Sequence, residues 1–86
     1  MAEPRRTTPS PRSPMPEITR IGAAFAARRI QLGLTQHLLA DLAGVSRYSV
    51  QALEYGTGSV KLGSIIQLAE ILGLRLDVAP NDGAAQ

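Results

Sequence analysis

Residues 35–56 read TQHLLADLAGVSRYSVQALEYG, and they describe two short helices joined by a tight turn. Apolar residues recur at spacings of three and four on either side of Gly44: Leu38, Leu39 and Leu42 before it, then Val45, Val50 and Leu53 after it. That is the helical period twice over. Thr35 and Ser46 each stand one residue ahead of a run, where a hydroxyl can accept from N–H groups that the first helical turn leaves unpaired. Gly44 falls where the first helix must end in a left-handed residue, a conformation that penalises a side chain. Ala40 is small at the place where two helices crossing steeply over a short turn approach closely. Each signal alone is common, but in one register they specify a helix-turn-helix with Val50 and Leu53 facing the core.

Outward from this unit, the chain divides into four parts. Five of the six prolines lie at positions 4, 9, 11, 14 and 16, interleaved with Arg5, Arg6, Arg12 and small hydroxylated residues. Residues 1–16 are therefore expected to be a disordered, basic, Pro-rich arm, and Met15 stands as an alternative start to Met1. The domain is expected over 17–73. Ile18, Ile21, Phe25 and Leu32 with intervening alanines mark a first amphipathic helix that Gly33 ends, and a fourth helix runs from about Leu62 to Leu72 before Gly73. Between the third and fourth helices, GTGSVK is a loop. In residues 74–79 the period changes to two: Leu74, Leu76 and Val78 alternate with Arg75, Asp77 and Ala79, and Pro80 stops the run. This is the pattern of a half-buried strand. A strand needs a partner, which the same strand of a second subunit supplies about a two-fold axis. Residues 80–86 are expected to be a flexible tail. The fold class is thus mostly α, four helices plus a C-terminal β-strand that pairs across a dimer.

Composition removes several function classes. With no cysteine among 86 residues, neither a disulfide framework nor a thiolate metal site can form. No apolar run approaches the ~20 residues of a membrane span, and the N-terminus lacks the apolar segment of a secretory signal, so a cytoplasmic location is expected. His37 and Asp41 share a helical face at i and i+4, a spacing able to hold a metal, but no third ligand accompanies them; neither a metal, a cofactor nor catalysis is expected. The formal net charge is +2, and three arginines against Glu3 place that excess in residues 1–16. The domain itself is close to neutral, so charge does not by itself point to nucleic acid.

The stretch from Ile21 to Leu74 resembles the Xre/Cro-type helix-turn-helix family, the fold of lambdoid phage repressors. The matching residues are Arg29, Gly33, Thr35-Gln36, Leu39-Ala40, Gly44-Val45-Ser46, Val50, Leu53-Glu54, Gly56, Leu62, Leu68-Ala69 and Leu72-Gly73. A single strand in place of a fifth helix more closely resembles the HipB-type antitoxins, whose dimers are joined by an intersubunit sheet. The resemblance implies that Gln36, opening the second helix, contacts a DNA phosphate. It implies that the third helix enters the major groove N-terminus first, presenting Ser46, Arg47, Tyr48, Ser49 and Gln51, with Ala52 at a further base-facing position. Arg47 could donate bidentately to guanine, and Tyr48 could reach a phosphate or a thymine methyl. Thr57, Ser59 and Lys61 fall where the family makes backbone contacts, and Arg29 with Glu54 matches a structural ion pair. Leu74, Leu76 and Val78 would carry dimerisation.

The reading that follows is a homodimeric, sequence-specific transcriptional repressor on a palindromic double-stranded DNA operator, acting as the autoregulating antitoxin of a HipA-type kinase toxin. A stand-alone or phage-type repressor without a toxin is the alternative within DNA binding. A protein-interaction module that has the fold but does not read DNA is the alternative outside it. Leu38 is either core or an exposed apolar residue for a partner, and the arginines of the arm either aid solubility or trail along DNA.

Overall fold

The computed structural model describes residues 15–57 and 59–81. Four helices follow one another: α1 (Pro16–Gln31), α2 (Gln36–Ala43), α3 (Arg47–Tyr55) and α4 (Leu62–Leu72). The mostly helical fold and the helix-turn-helix unit agree with expectation, while several details differ for identifiable reasons.

The first helix begins earlier than the proline count suggested. Pro16 occupies its first turn and Met15 its N-cap, because a proline at the first helical position gives up an N–H that has no intrahelical partner and already has a helical φ. The remainder of the expected arm, residues 1–14, lies outside the described residues, as do residues 82–86 of the expected tail.

The turn is built as its residues require. Thr35 Oγ1 accepts from the Leu38 N–H at 3.0 Å and Ser46 Oγ from the Ser49 N–H at 3.0 Å. Gly44 is left-handed, with φ 72°, and the Val45 N–H reaches back to the Ala40 carbonyl at 3.1 Å. This closes the end of α2 and turns the chain directly into α3.

Phe25, Leu39, Ala40, Ala43, Val50, Leu53, Leu68, Ala69 and Leu72 form the buried core, with Ile21, Leu34, Val45, Val60, Ile65 and Leu74 packed around it. Helix α2 packs between α3 and α4 while α1 lies chiefly along α3. The inner stripe of α2 is Leu39, Ala40 and Ala43; Leu38 and Leu42 are 44% and 53% exposed. Both stripes satisfy a spacing of three and four. The stripe holding two alanines wins because α2 is crossed on that side by two helices, and small residues let their axes come close. Leu62 and Ile66 of α4 are likewise exposed, leaving Leu68, Ala69 and Leu72 inside.

At the crossing of α1 and α3 the backbones come closest at Gly22, which is buried. A β-carbon there would lie 2.0 Å from the Leu53 carbonyl oxygen and 3.2 Å from that of Glu54. Farther along α1, Arg28 Nε donates to the Leu72 carbonyl at 2.8 Å, supplying a partner to a carbonyl at the end of α4 that the helix leaves free.

The strand expected over residues 74–79 is not a strand in the single chain. Residues 74–81 take neither helix nor strand, and the Val78 N–H is satisfied by its neighbour, Asp77 Oδ1, at 2.8 Å. A period-two sequence defines a strand's two faces but cannot supply the ladder of hydrogen bonds, which comes from another backbone. Leu74 packs on the core while Val78 is 96% exposed.

Candidate nucleic-acid interface

Helix α3 is the element whose start is best prepared to meet a ligand. Its N-cap is a reciprocal pair: besides accepting from the Ser49 N–H, the Ser46 hydroxyl lies 2.9 Å from the Ser49 hydroxyl. Both serines are therefore occupied in shaping the helix entrance, which leaves Arg47 and Tyr48, exposed side chains of the first turn, as the groups that project from it. Gln51 follows one turn later and is half-buried. Replacing Ser46 with Ala is expected to cost about 1 kcal/mol, the usual worth of such a cap, read as a lower midpoint in urea unfolding; an unchanged midpoint would show that the cap is immaterial to the fold.

Ala52 does not stand at the base-facing position that the family resemblance assigned to it. It is 3% exposed and lines an apolar hollow of about 280 Å³ together with Ile18, Ile21, Leu53 and Val60. The reason is the crossing at Gly22: α1 lies so close to α3 that the stripe through Ala52 and Leu53 turns inward toward it. The exposed side chains of α3 are instead Arg47, Tyr48 and Tyr55, with Ser49 and Gln51 half-buried.

Behind α3, one charged cluster ties three helices together. Arg29 Nε and Nη2 donate to the two oxygens of Glu54 at 2.7 and 3.0 Å, and Nη1 donates to the Leu34 carbonyl at 2.7 Å. The two side chains are only 14% and 5% exposed. The hydrogen bonds to Glu54 raise the Arg29 pKa above its ordinary value, outweighing the burial that lowers it, so the guanidinium is charged wherever the protein is folded. Such a bidentate pair fixes geometry as well as charge.

Gln36 belongs to this cluster, which its sequence position did not disclose. Its amide nitrogen donates to Glu54 Oε1 at 2.8 Å. One of its two N–H bonds is thus engaged, leaving the second and the carbonyl oxygen available. Residues 18 and 25 apart in the chain carry no local signal of such contact, and the same holds for Arg28 at the end of α4. Thr57, half-buried, and Ser59 and Lys61, exposed, occupy the connection between α3 and α4, with Lys61 as the N-cap residue of α4. His37 Nε2 and Asp41 Oδ2 lie 3.5 Å apart, both largely exposed.

Residues 25–78 match the helix-turn-helix family. The chain belongs to that family, of the Xre type, and is a DNA-binding transcriptional regulator. Among solved structures it is similar to the restriction-modification controller protein C.AhdI from Aeromonas hydrophila, with 31% identity, 71% of this chain and 92% of that chain covered, and a TM-score of 0.65. It also shares its fold with a chain of the HipA-HipB-O2-O3 complex, at 21% identity, with 90% and 99% of the two chains covered and a TM-score of 0.65. A comparison with curated protein sequences gave no match. None of the described helices is long and apolar enough to cross a membrane.

Proposed function

We propose that this regulator is a repressor that binds a palindromic operator as a homodimer, setting the first turn of α3 into the major groove. The observation that carries the reading is the arrangement at the start of α3: an entrance capped by Ser46 and braced by its hydroxyl contact with Ser49, exposed Arg47 and Tyr48, and a helix held from behind by the Arg29–Glu54 pair. Arg47 specifies guanine through O6 and N7, Tyr48 reaches the backbone or a thymine methyl, and Gln51 borders the same contact. Of the Ser46–Ser49 pair, the hydroxyl that does not donate within the pair keeps its hydrogen for a phosphate, and Thr57, Ser59 and Lys61 flank the entrance on the backbone side.

Gln36 contributes a phosphate contact through its remaining N–H, with Glu54 holding the amide in place. This improves on a free glutamine, whose rotamers must be frozen on binding. Because the domain is close to neutral, a dimer that presents two recognition helices about 34 Å apart, one turn of DNA, is what makes affinity sufficient.

Footprinting and gel-shift titrations test the assignment. Arg47→Ala should lose about 10²- to 10⁴-fold in operator affinity with little change on unrelated duplex, as the loss of one bidentate base contact in each half-site requires. Gln36→Ala should weaken every sequence by a uniform and smaller factor, and Lys61→Ala should reduce the slope of log affinity against log salt by about 2, one phosphate contact from each subunit. Operator affinity retained in both Arg47→Ala and Gln36→Ala would overturn the reading.

The homodimer further serves as the antitoxin of a HipA-type kinase. Supporting this, the fold runs the whole length of a chain from a complex named for HipA, HipB and the O2 and O3 sites. The regulator without a toxin is favoured by a different observation, the higher identity to a restriction-modification controller. Co-purification with the product of an adjacent kinase-like reading frame separates the two.

A further inference from the structure

Residues 74–79 determine how two copies would meet, and their charges select one register. This inference rests on the homodimer reading and names the interface. In an antiparallel pair related by a two-fold axis, each face of the ribbon maps onto itself, so a residue can oppose only one of its own parity, and one residue opposes its own copy. An axis through Arg75 sets arginine against arginine, and an axis through Asp77 sets aspartate against aspartate. Like charges directly opposed destabilise a pair of strands.

An axis through Leu76 instead sets Arg75 against the partner's Asp77, twice by symmetry. It also sets Val78 against the partner's Leu74. We infer that the subunits pair antiparallel through residues 74–78 with the two-fold axis at Leu76.

Four observations fit this occupant. Leu74 is packed on the core of its own chain, and Leu76 borders a groove of about 260 Å³ with Ile66, Ala69, Glu70, Leu74 and Arg75. Val78 is left 96% exposed, and pairing with the partner's Leu74 brings it over the edge of that core. The charges complement each other: Arg75 and Asp77 are exposed, and neither takes part in an ion pair among the described residues. The ribbon does not stand alone either, since the exposed Ile66 of α4 borders the same groove and gives it the apolar floor that a two-stranded pair in water needs.

The register is tested by cross-linking, because the native chain has no cysteine. In Leu76→Cys the two thiols oppose each other at a Cα separation of about 4.5–5.5 Å, within disulfide range. In Arg75→Cys or Asp77→Cys each thiol is two residues out of step with its copy, about 8 Å away and outside that range. Mild oxidation of the full chain should link Leu76→Cys at least tenfold faster than either neighbour.

Sedimentation equilibrium supplies the charge test. Arg75→Asp and Asp77→Arg should each raise the dimer dissociation constant about tenfold, and the two together should restore it. Circular dichroism at equal concentration confirms folding of each variant. A native dimer whose dissociation constant neither single substitution changes, or which links fastest through position 75 or 77, overturns the register while leaving the homodimer standing. A native chain that is monomeric at the concentrations where it protects its operator overturns the homodimer reading itself.

Discussion

Gly22→Ala is expected to unfold much of the protein at temperatures the native chain tolerates. In a solvent-exposed helix the same change stabilises by up to about 1 kcal/mol through helix propensity. Here the added carbon would lie 2.0 Å from the Leu53 carbonyl oxygen, a backbone atom that moves only if α1 and α3 separate. Overpacking of that kind costs about 3 kcal/mol or more, so the clash outweighs the propensity. For a domain of this size the midpoint should fall by about 12–24 °C, at roughly 4–8 °C per kcal/mol. Gly63→Ala is the matched control: Gly63 is also helical but has nothing within 4 Å of its added carbon, and it should be neutral or slightly stabilising. Equal melting curves for the two variants would show that the α1–α3 crossing is compliant.

Arg29→Ala should be comparably severe for an electrostatic reason. It leaves Glu54, whose side chain is 5% exposed, as an uncompensated carboxylate with Gln36 as its remaining donor, and removes the hydrogen bond that holds the Leu34 carbonyl. Breaking one side of a buried pair costs about 3–5 kcal/mol, read directly from urea titration. An unchanged urea midpoint would show that the pair contributes nothing to stability.

These two positions also mark what could be read in advance. The turn was legible because Thr35, Gly44 and Ser46 act on backbone groups within a few residues of themselves, and local chemistry leaves local signatures. The Arg29–Glu54 match came from family resemblance, since nothing in their spacing joins them. Gly22 stands beside a run of alanines with nothing local to mark it; its role depends on where α3 passes, which is a property of the tertiary fold. For the same reason Leu38 and Leu42 were indistinguishable from Leu39 and Ala43 by period, and Ala52 was assigned outward by resemblance although this chain's α1 covers it. Gln36 was located correctly at the start of α2, yet its hydrogen bond to Glu54 was not foreseeable from any pattern. The segment after Gly73 shows the complementary limit, where alternation defines two faces but hydrogen bonding needs a second backbone.

The adjacent arginines of α1 have a mechanical consequence. Arg29 grips α3 through Glu54, and Arg28 grips the last turn of α4 through the Leu72 carbonyl. One rigid rod thus references the helix that would touch DNA and the point from which residues 74–79 depart. Any second copy joined through that segment inherits its orientation from the end of α4, where the Arg28 bond acts together with the Leu74 N–H bond to the Ala69 carbonyl and the packing of Leu74 on the core. A slackened hinge at Arg28 would then show up as tolerance for altered spacing between half-sites, with contact to each half-site left intact.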